Sequence, residues 1–259
     1  MHWGEALAIL AAGVWAGAIN TVVGSGTLVT FPVLVAFGYP PVTATMSNAI
    51  GLVFGGFSGA WGYRRELRGQ GRRLLRLLPA SLLGAVTGAS LLLHLPERAF
   101  EAIVPVLLVL ALLLVVLQTR LQRVVSARRA ARGRTGDPTG WGAVGLLLAV
   151  YGAGVYGGYF TAAQGILLMG IMGPLLADGL QRLNALKNVL ALAVNVVAAL
   201  IYVVVAPERI AWAAVGLVAA GSLVGGQLGA SVGRRLPPAV LRAVIVVMGC
   251  VALWTFLAD

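Results

Sequence analysis

Gly17-Ala18-Ile19-Asn20-Thr21-Val22-Val23-Gly24-Ser25-Gly26-Thr27-Leu28 puts polar and glycine residues inside a long apolar stretch, and the chain does this twice. Gly17, Asn20 and Gly24 return 141 residues later as Gly158, Thr161 and Gly165. Thr45-Met46-Ser47-Asn48 returns at an offset of 140 as Ala185-Leu186-Lys187-Asn188. Ser81, Gly84, Gly88, Ala89, Leu95 and Pro96 return at 141 as Ser222, Gly225, Gly229, Ala230, Leu236 and Pro237. The register therefore holds across each half, with one residue gained or lost in the middle. Two copies of a multi-span unit, each with a break in its leading segment, is the sequence pattern of a secondary transporter.

Composition fixes the solvent. The hydrophobic fraction is 59%, mean hydropathy is +0.94 and only 10% of residues are charged, against about 25% charged in a soluble domain. Apolar stretches run over 5–38, 41–63, 74–95 and 99–118, then over 141–177, 183–205, 210–233 and 238–257. Such recurring uncharged runs belong in lipid. The first lacks a basic leader and is copied at 141–177, so it reads as part of the bundle rather than as a signal peptide. The predicted fold class is an all-α polytopic membrane protein. The expected organisation is a first transmembrane repeat over 1–118, a basic linker over 119–140 and a second repeat over 141–259.

The net charge of +11 does not point to nucleic acid. All the basic residues but Lys187 are arginines, and most lie in short connectors, where such residues set orientation and meet anionic headgroups. The leading stretch of each half is too long for one crossing, which takes about 20 residues. It reads either as a broken helix or as a hairpin of two half-helices. Four simple crossings per half would make the halves parallel and leave 13 basic residues inside and 6 outside. A hairpin plus three crossings would invert the halves and leave 17 inside and 2 outside, with both termini outside. The positive-inside rule favours the second arrangement, with the basic loops cytoplasmic.

The breaks are the best candidate site. Unwound backbone at membrane depth is tolerated only where it is buried in protein or lines a cavity, and the N-terminus of a half-helix suits an anion. Candidate binding residues there are Asn20, Gly24, Ser25 and Gly26 in the first copy, and Gln164 and Gly165 in the second. The competing reading is that these residues only cap helix ends and permit close packing. The helix after the second break adds Asn184, Lys187 and Asn188, with Asn195 on the same face. Its first-copy counterparts are Ser47 and Asn48, and Asn48 is also a candidate binding residue, since pseudo-symmetry would set it opposite Asn188 across a shared midplane site. Lys187 has two readings: it faces inward with the amides, or it snorkels to the interface.

The absences narrow the chemistry. None of the eight acidic residues falls mid-span, which disfavours a cation or proton-relay site and favours an anion. His2 and His94 sit at span ends, and Cys250 stands alone, so no metal site, disulfide or catalytic constellation is expected. Asp178 reads as a solvated turn or helix cap. No cofactor is expected, and oligomeric state is not legible.

At these residues the chain resembles a known family. The segment Gly17–Leu28 followed by Pro32 looks like the opening signature of the TauE/SafE sulfite exporter-like permeases. Gly154, Gly158-Tyr159, Gly165 and Asn184–Asn188 are similar to that family's second repeat. The resemblance implies a bacterial or archaeal inner-membrane permease for small sulfur-containing anions such as sulfite, sulfoacetate, related organosulfonates or thiosulfate. An anion channel of the same fold, or a permease for a different small organic anion, are the alternatives. The second copy departs from the pattern in carrying Gln164 and no Gly-x-Gly.

Overall fold

A computed structural model describes residues 2–132, 137–231, 243–247, 250 and 253. Both interrupted stretches fold as helix pairs. In the first half α1 (Trp3–Val22) is followed by α2 (Thr27–Ala36), then α3 (Pro41–Gly62), α4 (Gly71–His94) and α5 (Glu97–Arg132). The second half gives α6 (Trp141–Tyr159), α7 (Gln164–Leu175), α8 (Leu180–Val205), a 3-10 turn at Pro207–Arg209 and α9 (Trp212–Ser231). Among the described residues there are only helices and no strands, and six helices are long and apolar enough to cross a membrane. The chain is an all-α polytopic membrane protein. Most of the segment 238–257, expected as the last crossing, and Arg234, Arg235 and Arg242 lie outside the described residues.

The chain reverses at each break. A Cβ at Gly26 would lie 2.3 Å from Ala16 O, although ten residues of straight helix would separate these positions by about 15 Å. A Cβ at Gly157 would likewise meet Gln164 Cδ at 2.3 Å. Glycine at Gly24 supplies the positive φ of 92° for the first reversal; the second uses Thr161 and Ala163, at φ 66° and 59°. Non-glycine residues there cost of order 1 kcal/mol each. The arms are unequal, with 20 and 10 residues in the first pair and 19 and 12 in the second. The leading arms are therefore full-length helices of about 30 Å, not the half-helices expected from the sequence.

Side-chain ties close the open ends of both pairs. Tyr39 Oη, just after α2, donates to Glu5 Oε1 at the start of α1 at 3.2 Å. Arg73 bridges Asp137, before α6, and Asp178, after α7, at 2.6 and 2.5 Å. The first pair thus opens beside the start of α3, and the second opens beside the connector that follows its end.

The recurring small residues are interfaces between the halves. Gly13 and Gly17 of α1 lie against Val218, Gly221 and Ser222 of α9. Their copies Gly154 and Gly158 of α6 lie against Ser81, Gly84 and Ala85 of α4. A Cβ at Gly84 would meet Tyr151 O at 2.3 Å, and one at its copy Gly225 would meet Val14 O at 2.0 Å. Lipid gives no hydrophobic drive between helices, so close backbone approach at small residues supplies the packing. The core then gathers around the breaks. Phe31 meets Phe160 edge-on at 5.2 Å, and Phe100 of α5 meets Tyr159 at a tilt with ring centres 5.5 Å apart. Phe100, Val104, Leu108, Ala111 and Val115 form the buried stripe of α5, at the spacing one helix face requires. The same helix continues to Arg132, so the basic segment expected as a connector begins as helix.

Candidate functional site

Gly24 and Gly165 hold the same place in the two copies, and they touch. Gly165 N–H donates to Gly24 O at 3.0 Å. A Cβ on either glycine would fall 2.4 Å from the other's Cα, well inside van der Waals contact. The two hairpin tips are thus pressed together backbone to backbone.

Lys187 stands beside this contact, its Cδ 3.0 Å from the position a Gly165 Cβ would take. It is fully buried, so the inward reading holds and the snorkelling one does not. Its ammonium donates to Asn20 O at 3.0 Å and Thr21 O at 3.1 Å, and Asn184 Nδ2 adds a bond to Thr21 O at 3.2 Å. These carbonyls end α1, where the helix has no amide left to satisfy them and carries partial negative charge. Among the described residues no carboxylate pairs with Lys187. A buried ammonium costs several kcal/mol, and two bonds to carbonyls, at about 1.5–3 kcal/mol each, offset that without cancelling the charge. Any charge on Lys187 is thus met by carbonyl dipoles alone among the described residues.

The two halves treat the matching asparagines differently. Asn48 Nδ2 donates to Thr27 Oγ1 at 3.0 Å, and Thr30 Oγ1 donates to Asn48 Oδ1. Asn48 thereby fastens the first turn of α2 to α3. The residues matching those threonines in the second copy are Leu168 and Ile171, and Asn188 Nδ2 is buried with no partner. Ser25 Oγ, Gln164 Nε2 and Asn195 Oδ1 are also buried and unpaired. Leaving such a group unsatisfied costs about 1–3 kcal/mol, and native interiors keep few of them. Asn20 takes part through its carbonyl, and Gly26 through its approach to Ala16.

Two further residues make contacts that the sequence did not show. Tyr202 Oη donates to Gly158 O at 2.6 Å and caps the end of α6, as Lys187 caps α1. The spacing 188, 195, 202 carried that signal, because it continues the polar face of α8. Asp178 is more than a turn residue: it accepts from Gly179 N–H, Arg73 and Arg182. Partial burial alone would raise its carboxyl, but these bonds outweigh it and hold the group below its ordinary value.

The two break-bearing units meet at their tips beside a buried lysine, and the family model for "Sulfite exporter TauE/SafE" matches residues 9–255. The chain belongs to the TauE/SafE sulfite exporter family. It is 26% identical over 245 residues to a probable membrane transporter protein of Haemophilus influenzae, covering 94% of this chain and 91% of that one. It is 32% identical over 94 residues to the probable membrane transporter protein ORF9 of a Sinorhizobium species, a match spanning 36% of each chain. No solved structure matches it. The TauE/SafE chain is a membrane transporter.

Proposed function

We propose that this transporter is a permease for small sulfur-containing anions, namely sulfite, an organosulfonate such as sulfoacetate, or thiosulfate. The observation that carries the reading is the tip contact: Gly165 N–H on Gly24 O, with Lys187 alongside and the donors of Ser25, Gln164 and Asn188 unspent. An oxyanion offers several acceptor oxygens and one or two negative charges. It would take the amide of Gly165 in place of Gly24 O, draw in the Asn188 and Gln164 amides and the Ser25 hydroxyl, and neutralise Lys187. The substrate thereby replaces the bond that holds the tips together, which couples binding to their separation.

The repeats alternate access by an inverted arrangement. The ties Tyr39–Glu5 and Arg73–Asp137/Asp178, which close the hairpins beside opposite ends of α3, support this, as does the reciprocal packing of α1 on α9 and α6 on α4. Reciprocity of this kind is what a two-fold relation between copies requires. With arginines concentrated on one face, the protein sits in a bacterial or archaeal inner membrane with that face in the cytoplasm. Flux in proteoliposomes tests the proposal. Uptake of labelled sulfite, sulfoacetate or thiosulfate, accelerated by the same anion on the far side, is expected; no movement of any of the three refutes the substrate class.

A further inference from the structure

We propose that the arginine-lined cleft at the mouth of the second hairpin binds the phosphate headgroup of an anionic phospholipid. The cleft has a volume of about 370 Å³ and is lined by Arg72, Arg73, Arg76, Arg182, Asp137, Asp178 and Gly69. Four guanidinium groups face two carboxylates, so it is cationic by two charges. Arg73 and Arg182 spend themselves on Asp137 and Asp178. Arg76 makes one bond, to Pro138 O at 3.2 Å. Arg72 is exposed and has no partner among the described residues.

Position selects a lipid over a dissolved anion. Three membrane helices, α4, α6 and α8, begin at this cleft, at Gly71, Trp141 and Leu180. Its floor therefore lies where headgroups meet hydrocarbon, and three helix N-termini add to the positive potential. The residues next to the lining along the chain are large, apolar and open: Leu75 is 77% exposed, Leu180 61% and Trp141 90%. An indole at that level is an interface anchor. Acyl chains would lie along Leu75 and Leu180 while the phosphate reaches Arg72 and Arg76, the arrangement by which basic pockets between helices hold anionic headgroups. A bidentate guanidinium–phosphate pair fits Arg72 and Arg76 without disturbing the Arg73 bridge.

The test is lipid binding to the intact, detergent-purified protein, read by native mass spectrometry and by thermal stability. Dioleoylphosphatidylglycerol is expected to bind and stabilise where dioleoylphosphatidylcholine does not. Arg72→Gln with Arg76→Gln is expected to weaken phosphatidylglycerol binding about 30-fold, taking the usual contribution of each arginine at a membrane surface. Arg72→Lys with Arg76→Lys keeps the charge but loses the bidentate pairing, so its binding should fall between wild type and the double glutamine variant. Should the double glutamine variant not fold, Arg72→Gln alone serves, with a loss of about 5-fold expected. Equal binding of the two lipids, or a phosphatidylglycerol preference untouched by the substitutions, overturns the proposal. Stabilisation by inorganic phosphate equal to that by the lipid, and lost in the same variants, overturns it in favour of a soluble anion.

Discussion

Gly165 N–H donates to Gly24 O at 3.0 Å, joining two residues that occupy one position in a duplicated sequence. Neither can carry a side chain, because a Cβ on one would sit 2.4 Å from the Cα of the other. Gly24→Ala is worse placed still, at a φ of 92°. Overpacking of this kind costs about 1–3 kcal/mol, and Gly24→Ala adds about 1 kcal/mol of left-handed strain. Both variants are expected to melt earlier than wild type, Gly24→Ala the more so, and to lose flux more than 10-fold, roughly the factor that 1.4 kcal/mol represents. Wild-type flux in Gly165→Ala would show that the tips need not meet.

Asn48 and Asn188 match in sequence and differ in employment. Asn48→Ala breaks two buried bonds to Thr27 and Thr30 and should cost about 1–3 kcal/mol of stability. Asn188 Nδ2 has no partner to lose, so Asn188→Ala is expected to shift stability by less than about 1 kcal/mol while reducing transport. Melting curves beside flux assays separate the two. A larger stability loss in Asn188→Ala than in Asn48→Ala would contradict the assignment.

Lys187→Met keeps the length of the side chain and removes the charge. The carbonyls of Asn20 and Thr21 would lose their ammonium, worth about 1.5–3 kcal/mol per bond, but the cost of burying a cation disappears too. Stability is expected to change little and anion flux to fall steeply. Lys187→Arg should fail as well, because a planar guanidinium does not fit where a compact ammonium reaches two carbonyls. Unchanged flux in Lys187→Met would remove the charge from the mechanism.

Acid should loosen the second hairpin through Asp178. Its carboxyl is held below the ordinary 3.8, burial opposing and the bonds from Arg182, Gly179 N–H and Arg73 prevailing. Stability from this group is therefore complete above 3.8, the unfolded value, and is lost as pH falls through the lowered folded value. Melting temperature measured from pH 7 to pH 3 should be insensitive to Asp178 until below about pH 4. Asp178→Asn should melt earlier at neutral pH and show a shallower decline in acid.

Phe37 and Gly179 test the inversion directly. Each follows the second arm of its hairpin, near equivalent positions, and a Cβ at Gly179 meets nothing within 4 Å. In a Cys250→Ala background, Phe37→Cys and Gly179→Cys should react with impermeant maleimide from opposite sides of the membrane. Labelling from the same side would make the copies parallel.

The duplicated pattern Gly17–Leu28, its copy around Gly158–Gly165 and the absence of mid-span carboxylates were enough to fix the class: helical, polytopic, broken at two related points. This follows because burial in lipid imposes a simple, local rule on composition and length, readable residue by residue. Pairing is not local. That Gly24 meets Gly165, that Lys187 ends α1 rather than reaching the headgroups, that Asn48 is occupied while Asn188 is not, and that Arg73 spans Asp137 and Asp178 all depend on contacts between residues tens to well over a hundred positions apart. The matching asparagines differ in that two threonines bond Asn48, whereas a leucine and an isoleucine hold the equivalent positions in the second copy, and it takes the packed helices to bring the threonines within reach of the amide.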